Sequence, residues 1–282
     1  MAKRRLELKG SERKELSSYV LSNRKMDRFH RKLKRAGQLP QNWNNRRRIS
    51  NYDELLLFKE KGTSVVEIVQ KKLSESKRPV AVLDVGCGEA IFLKELKEKF
   101  GDKIEAEGIT LARPLSPKKL EEIIEALPKS MGKKRRAREA KLIKSIINDS
   151  KNFRNRTRKH SIKVHTGLAE THKYGKKYDL IFSVSAFLGT DVHRATMNTL
   201  AHLRKGGEAY IEFGQQRLTK EEKEELRRNG IEVKVFQHFP YYPVPVTWQV
   251  YYFKKIKENP QFFRSFFRKR KTEQRHEITP LY

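Results

Sequence analysis

Twelve residues constrain the fold of this chain more than any others: Val80-Ala81-Val82-Leu83-Asp84-Val85-Gly86-Cys87-Gly88-Glu89-Ala90-Ile91. An apolar run rich in β-branched residues must be buried on both faces, which is the signature of an interior strand of a parallel sheet. The run reaches an acid, Asp84, and then two glycines spaced by one residue. Phe92, Leu93, Leu96 and Phe100 follow at helical spacing. A strand, a tight turn and a helix in this order let bare backbone approach a ligand at the helix N-terminus.

The rest of the chain repeats the alternation. Strands are predicted over residues 79–85, 103–111, 161–165, 178–184, 208–213, 231–236 and 246–253. Helical patterns fill residues 51–78, 191–203 and 220–228, and the last opens on a Thr219/Glu222 capping box and is closed by Gly230. Strands separated by helices of roughly 15 residues form βαβ units, so the expected fold class is α/β, with a seven-stranded, mostly parallel, doubly wound sheet. About fifty extra residues stand between the second and third strands. There Ser116-Pro117 starts one helix (Leu120, Ile123, Ile124, Leu127). A second follows, with Leu142, Ile143, Ile146 and Ile147 on one face, and Lys151–His160 runs from it to the next strand.

Charge divides the chain differently. The net charge is +30. Residues 1–50 hold 16 Lys and Arg against 4 Asp and Glu, residues 112–163 hold 17 against 5, and residues 253–282 hold 9 against 3. The remainder is neutral, 22 against 22. A neutral body with three basic appendages calls for a polyanionic partner. The expected organisation is a basic extension (1–50), a catalytic-type domain (51–253) with a basic helical insertion (112–160), and a basic tail (254–282). Candidate RNA contacts are Arg46, Arg47 and Arg48 beside Trp43; Lys133, Lys134, Arg135, Arg136 and Arg138; Arg154, Arg156, Arg158 and Lys159; and Arg268, Lys269, Arg270 and Lys271. No stretch has the length of a membrane span, and the N-terminal residues read as lacking a secretory leader. The single cysteine, Cys87, excludes an internal disulfide and fits a reducing, cytoplasmic setting.

The glycine turn resembles motif I of the class I S-adenosylmethionine-dependent methyltransferases, acid-x-Gly-x-Gly-x-Gly, with Asp84, Gly86 and Gly88 in place and Ala90 at the third glycine. A dinucleotide site would need a glycine where Ile91 stands. The resemblance spans roughly residues 79–253. Tyr178-Asp179-Leu180-Ile181-Phe182-Ser183 is similar to the family's fourth strand, and Leu203-Arg204-Lys205-Gly206-Gly207-Glu208-Ala209-Tyr210-Ile211 to its passage into the fifth. It implies S-adenosylmethionine as cofactor, held by Asp84, Gly86, Cys87, Gly88, Ala90, Thr110, Leu111, Leu168, Ala169 and Ser183. Two positions depart from the family. Thr110 stands where an acid usually holds the ribose, as in the similar Gly-x-Thr-Leu of cyclopropane-synthase-like members. Leu168 stands where an acid often meets adenine, with Glu170 close by.

No catalytic residue is assigned. The family's Asn/Asp-Pro-Pro-Tyr motif is absent after the fourth strand, and the only cysteine lies in the glycine turn. Phe239-Pro240-Tyr241-Tyr242-Pro243-Val244-Pro245 is the substrate-side candidate, with Tyr241 or Tyr242 able to stack on a base. The eight histidines lack metal spacing, and no metal is expected. These features together imply a methyltransferase bound to structured RNA, most simply ribosomal RNA or a ribosomal subunit. A catalytically silent fold serving as a ribosome-associated component is the alternative. A lipid or small-molecule enzyme would leave most of the basic segments without a role.

Overall fold

The computed structural model describes residues 49, 52–53, 62–110, 118, 121–122, 125, 133–184, 192–212, 217–238 and 248–266. Its elements are α1 (Val65–Glu75), β1 (Val80–Val85), α2 (Ile91–Phe100), β2 (Ile104–Thr110), α3 (Lys133–Lys159), β3 (Lys163–Thr166), β4 (Tyr178–Ser183), α4 (Val192–Ala201), β5 (Leu203–Glu212), α5 (Lys220–Arg228), β6 (Ile231–His238) and β7 (Trp248–Lys255). Residues 260–266 are also helical. The chain divides into two units. One comprises residues 1–45, 112–159 and 241–244 and is represented chiefly by α3. The other comprises residues 46–111, 160–240 and 245–282 and holds the whole sheet.

The seven strands run in the order β3-β2-β1-β4-β5-β7-β6. The first five in that order pair in parallel, and β7 is antiparallel to both neighbours. The expected α/β sheet is therefore present. All six residues of β1 are buried, the five apolar ones as an interior parallel strand requires and Asp84 with them. Phe92, Leu93, Leu96 and Phe100 form the buried face of α2. At α5, the Glu222 amide donates to Thr219 Oγ1 (3.1 Å) while the Glu222 carboxylate accepts from the Thr219 amide (2.8 Å), the expected capping box. Ser64 and Glu67 cap α1 in the same way.

Two boundaries differ from the sequence expectation. Strand β5 starts at Leu203 rather than residue 208, because Leu203 already pairs with Tyr178. The register then shifts, so that Leu180 pairs with Glu208. The intervening Arg204-Lys205-Gly206-Gly207 is a bulge in the strand, not a helix end, and Arg204 uses it to reach Asp179 (2.9 Å). Helix α3 is unbroken through Lys159, so Lys151–Lys159 is its last part rather than a connector. At 27 residues it is about 40 Å long.

The core is continuous from Leu83, Val85 and Ile109 through Ile181 and Ile211 to Tyr251, Phe253 and Phe263, with Phe262 and Phe266 packed against it. Several charges inside this unit are answered internally. Asp179 accepts from Arg78 (2.7 Å), Arg204 (2.9 Å) and the Ala81 amide (2.8 Å). The buried Lys255 donates to Leu203 O (2.8 Å) and pairs with Glu258 (3.0 Å). The buried Glu107 on β2 accepts from Tyr178 OH (2.7 Å) and Lys176 (2.9 Å).

Burial pushes the Glu107 carboxyl up, but the hydrogen bonds from Lys176 and Tyr178 and the charges of Lys176 and His165 outweigh it. Its pKa is left below the ordinary 4.5. A depressed acid stabilises the fold above 4.5, and that contribution is lost as pH falls through the folded pKa. Glu107→Gln is expected to cost about 1–3 kcal/mol at neutral pH and to flatten the decline in stability below pH 4.5. Thermal unfolding followed by circular dichroism across that range checks this; parallel acid limbs for variant and wild type would contradict it.

Candidate functional site

Parallel pairing places the C-terminal ends of β3, β2, β1 and β4 along one edge of the sheet. The connections turn one way from β1 to β2 and the other way to β4, so the edge between β1 and β4 is the switch point where open α/β sheets bind ligands. The glycine turn lies there. The Gly86 and Cys87 amides both donate to Ile109 O, at 2.8 and 3.0 Å, and the Ala90 amide closes the turn on Cys87 O (2.8 Å). Gly86 (φ 83°) and Gly88 (φ 49°) take left-handed backbone that favours glycine. Ala90, at the third glycine position, also has φ 55°, which costs an alanine about 1–2 kcal/mol. It precedes α2, whose first turn has no side-chain cap.

A second glycine makes the turn possible from below. A Cβ at Gly108 on β2 would lie 2.5 Å from Cys87 Sγ and 2.8 Å from Cys87 Cβ. The glycine of Gly108-Ile109-Thr110 is thus a packing requirement of the turn. Two residues on, Thr110 ends β2 half-buried, and its carbonyl accepts from the Gly167 amide (3.0 Å).

Asp84 is wholly buried, and Oδ1 accepts from Tyr52 OH at 2.7 Å. The Tyr52 ring stacks on Phe92 (3.8 Å, 9°) and meets Phe182 edge-on (6.3 Å). Tyr52 was not singled out by the sequence, because Asn51-Tyr52-Asp53 precedes the first capped helix without a motif of its own. Ser183 ends β4 opposite Val85. It is buried, and its Oγ has no hydrogen-bond partner among the described residues. After β3, Ala169 is buried while Leu168 is 42% exposed. Asn198 of α4, also unsignalled by sequence, fixes this loop by donating to Ala169 O (2.7 Å) and His172 O (2.9 Å). One buried oxygen of Glu170, Oε2, has no hydrogen-bond partner among the described residues.

The fold therefore gathers Asp84, Gly86, Cys87, Gly88, Ala90, Thr110, Leu168, Ala169 and Ser183 at adjoining strand ends. Leu111, Tyr241, Tyr242, Arg46, Arg47, Arg48 and the run Arg268, Lys269, Arg270, Lys271 lie outside the described residues. Lys133, Lys134, Arg135, Arg136 and Arg138 fall within α3, where only the backbone is described. Of the remaining candidates on α3, Arg154, Arg158 and Lys159 are exposed and Arg156 is half-buried. Near the β3 end, His165 and His172 rings lie 5.1 Å apart, and burial with the charges of His165 and His202 pulls the His172 pKa down.

A sequence profile described as "Methyltransferase domain" matches residues 51–245, well over half the chain. The chain belongs to this methyltransferase domain family. S-adenosylmethionine is the cofactor that goes with that membership, and the Ser183 hydroxyl, without a partner among the described residues, the bare turn and the start of α2 fit a polar ligand of its kind. Solved structures similar to the methyltransferase chain include a TehB-like SAM-dependent methyltransferase from Corynebacterium glutamicum (17% identity, 71% of this chain and 92% of that one, TM-score 0.39). Others are SAM-bound CalS10, an amino pentose methyltransferase from Micromonospora echinaspora (16%, 70% and 94%, 0.36), and a putative class I methyltransferase from Listeria monocytogenes (13%, 80% and 66%, 0.43). Among curated proteins, none matches the chain.

The steric reading of the turn is testable by a pair of substitutions. Gly108→Ala should force Cys87 aside and weaken S-adenosylmethionine binding at least about tenfold, the equivalent of 1.4 kcal/mol. Adding Cys87→Gly should restore most of it. Isothermal titration of the two variants decides, and equal weakening in both would contradict the account. Tyr52→Phe removes the hydrogen bond to Asp84 and is expected to lower stability by about 1–2 kcal/mol, measured by denaturant unfolding.

Proposed function

We propose that this chain is an S-adenosylmethionine-dependent methyltransferase acting on structured RNA, ribosomal RNA within a ribosomal subunit in the first place, in the cytoplasm. The observation that carries the RNA assignment is the distribution of charge. Three segments contribute the whole of the +30 around a methyltransferase body that is neutral. RNA is favoured over DNA because the basic segments interleave arginine with aromatic and amide side chains, as at Asn42-Trp43-Asn44-Asn45-Arg46, and contain no DNA-reading motif. Exposed Arg154, Arg158 and Lys159 on α3 supply cations suited to phosphate contacts. The lone cysteine supports a reducing compartment, and no helix among the described residues is long and apolar enough to cross a membrane.

When bound, S-adenosylmethionine supplies a methyl group on a sulfonium, ready for in-line displacement. The chain's own residues have the task of positioning. The Gly86-Cys87-Gly88 backbone allows close approach, and Tyr52 holds Asp84 at its base. The Thr110 and Ser183 side chains offer hydroxyls at the strand ends on either side of β1, and Glu170 offers a carboxylate oxygen. Leu168 presents an apolar surface where a base or ring could rest.

Thr110 and Leu168, standing where acids are usual, favour a second reading, a silent fold that serves as a ribosome-associated RNA-binding component. Two measurements separate them. S-adenosylmethionine should bind in the micromolar range by calorimetry; no binding at millimolar ligand would favour the silent component. Under either reading the protein should co-sediment with ribosomal subunits and be released steeply by salt, because several phosphates are neutralised together. A flat salt response would overturn the RNA assignment.

A further inference from the structure

Residues 51–111 and 164–252 are neutral together, and Lys254 of the basic C-terminal segment adds a cation to the sheet they build. A cavity of about 490 Å³ is lined by α1 and by β5, β7 and β6, none of whose lining residues belongs to the candidate cofactor site. Antiparallel register puts Glu208 beside Lys254 and Tyr210 beside Tyr252 across β5 and β7, and Lys234 beside Tyr252 across β6 and β7. These side chains therefore share one face of the sheet. Lys71 and Lys72 reach the same cavity from α1.

The four lysines are not equivalent. Buried Lys72 is committed to Glu208 (2.9 Å), Glu75 (3.1 Å) and Gly206 O (2.9 Å). Burial lowers its pKa, but hydrogen bonding and charge from Glu208 and Glu75 outweigh this, so it stays a cation. Lys234 pairs with Glu232 (2.8 Å) and lies 5.8 Å from the Tyr252 ring centre. Among the described residues neither exposed Lys71 nor half-exposed Lys254 has a carboxylate within ion-pair distance, although Lys254 stands opposite Glu208 in the β5–β7 register. Glu67, the other acid of the lining, is engaged in the α1 capping box.

Lys71 and Lys254 line the same cavity as the Tyr252 and Phe236 side chains, and together these are the elements of a site for a phosphate and a base. The volume lies within the range of small-ligand pockets and suits a single nucleotide. The charge rejects the chain's own Lys- and Arg-rich segments as occupants. We propose that this cavity seats one unstacked nucleotide of a single-stranded RNA segment, its phosphate held by Lys71 and Lys254 and its base against Tyr252. The inference rests on the RNA reading and assigns the cavity an anchoring role, separate from the site of methyl transfer.

The test uses the full chain and an oligouridylate carrying 4-thiouridine, photo-cross-linked and mapped by peptide mass spectrometry. Adducts are expected on the peptides holding Tyr252 or Lys71. The Lys71→Ala/Lys254→Ala double variant, whose lost side chains both reach solvent, should lose these adducts. Its log affinity for the RNA should fall less steeply with log salt, by about 0.7, the value for one phosphate on a single strand. S-adenosylmethionine binding should stay unchanged, and Lys71→Arg/Lys254→Arg should keep the adducts. Adducts confined to other segments, or an unchanged salt slope, would overturn this site and leave the RNA reading intact. Displacement of the adducts by micromolar AMP would overturn it in favour of a free-nucleotide site. Failure of the wild-type protein to bind RNA at all would overturn both.

Discussion

The geometry of the candidate site depends on one carbonyl. Ile109 O accepts from the amides of Gly86 and Cys87, so the turn after β1 is tied to the end of β2 rather than free to move. The tie holds only because β1 and β2 run parallel with Val85 opposite Ile109, and because Gly108 has no side chain beneath Cys87. Thr110 is placed beside the turn by the same register. Asp84 follows from it as well: a carboxylate at the buried end of the central strand needs a donor, and Tyr52 reaches in from the segment before α1 to provide one.

The second organising principle is electrostatic. Within the sheet-bearing unit, acids are taken up by nearby cations: Asp179 by Arg78 and Arg204, Glu107 by Lys176, Glu208 by Lys72. Pairing of this kind explains how a body with a balanced charge can coexist with a chain of +30. The excess of cations falls in residues 1–50, 112–163 and 253–282. Lys71 of α1 and Lys254, the latter from the basic C-terminal segment, line one cavity of the sheet-bearing unit.

Much of this was legible in the sequence, for physical reasons. The apolar run of β1, interrupted only by Asp84, the 3.6-residue pattern of α2 and the Thr219/Glu222 box are local signals, and the fold realises each of them. What escaped depends on long-range placement. Tyr52 gains its meaning only when Asp84, Phe92 and Phe182 surround it. Gly108 looks like part of a strand until Cys87 lies on it. Asn198 has no pattern that announces it as the clamp on Ala169. The start of β5 was misplaced because Gly206-Gly207 reads as a helix stop, whereas pairing of Leu203 with Tyr178 begins the strand before those glycines. The continuation of α3 was missed because Lys151–Lys159 is polar almost throughout, and periodicity is silent where apolar residues are scarce.

The central claim joins a cofactor turn to an RNA partner in one activity. It is tested most directly by incubating the protein with S-adenosylmethionine carrying a tritiated methyl group and ribosomal subunits lacking the modification, then extracting the RNA. The account predicts tritium in ribosomal RNA at one nucleotide, reduced about tenfold by Gly108→Ala at subsaturating cofactor. Tritium absent from the RNA, although the protein binds both the cofactor and the subunits, would contradict it.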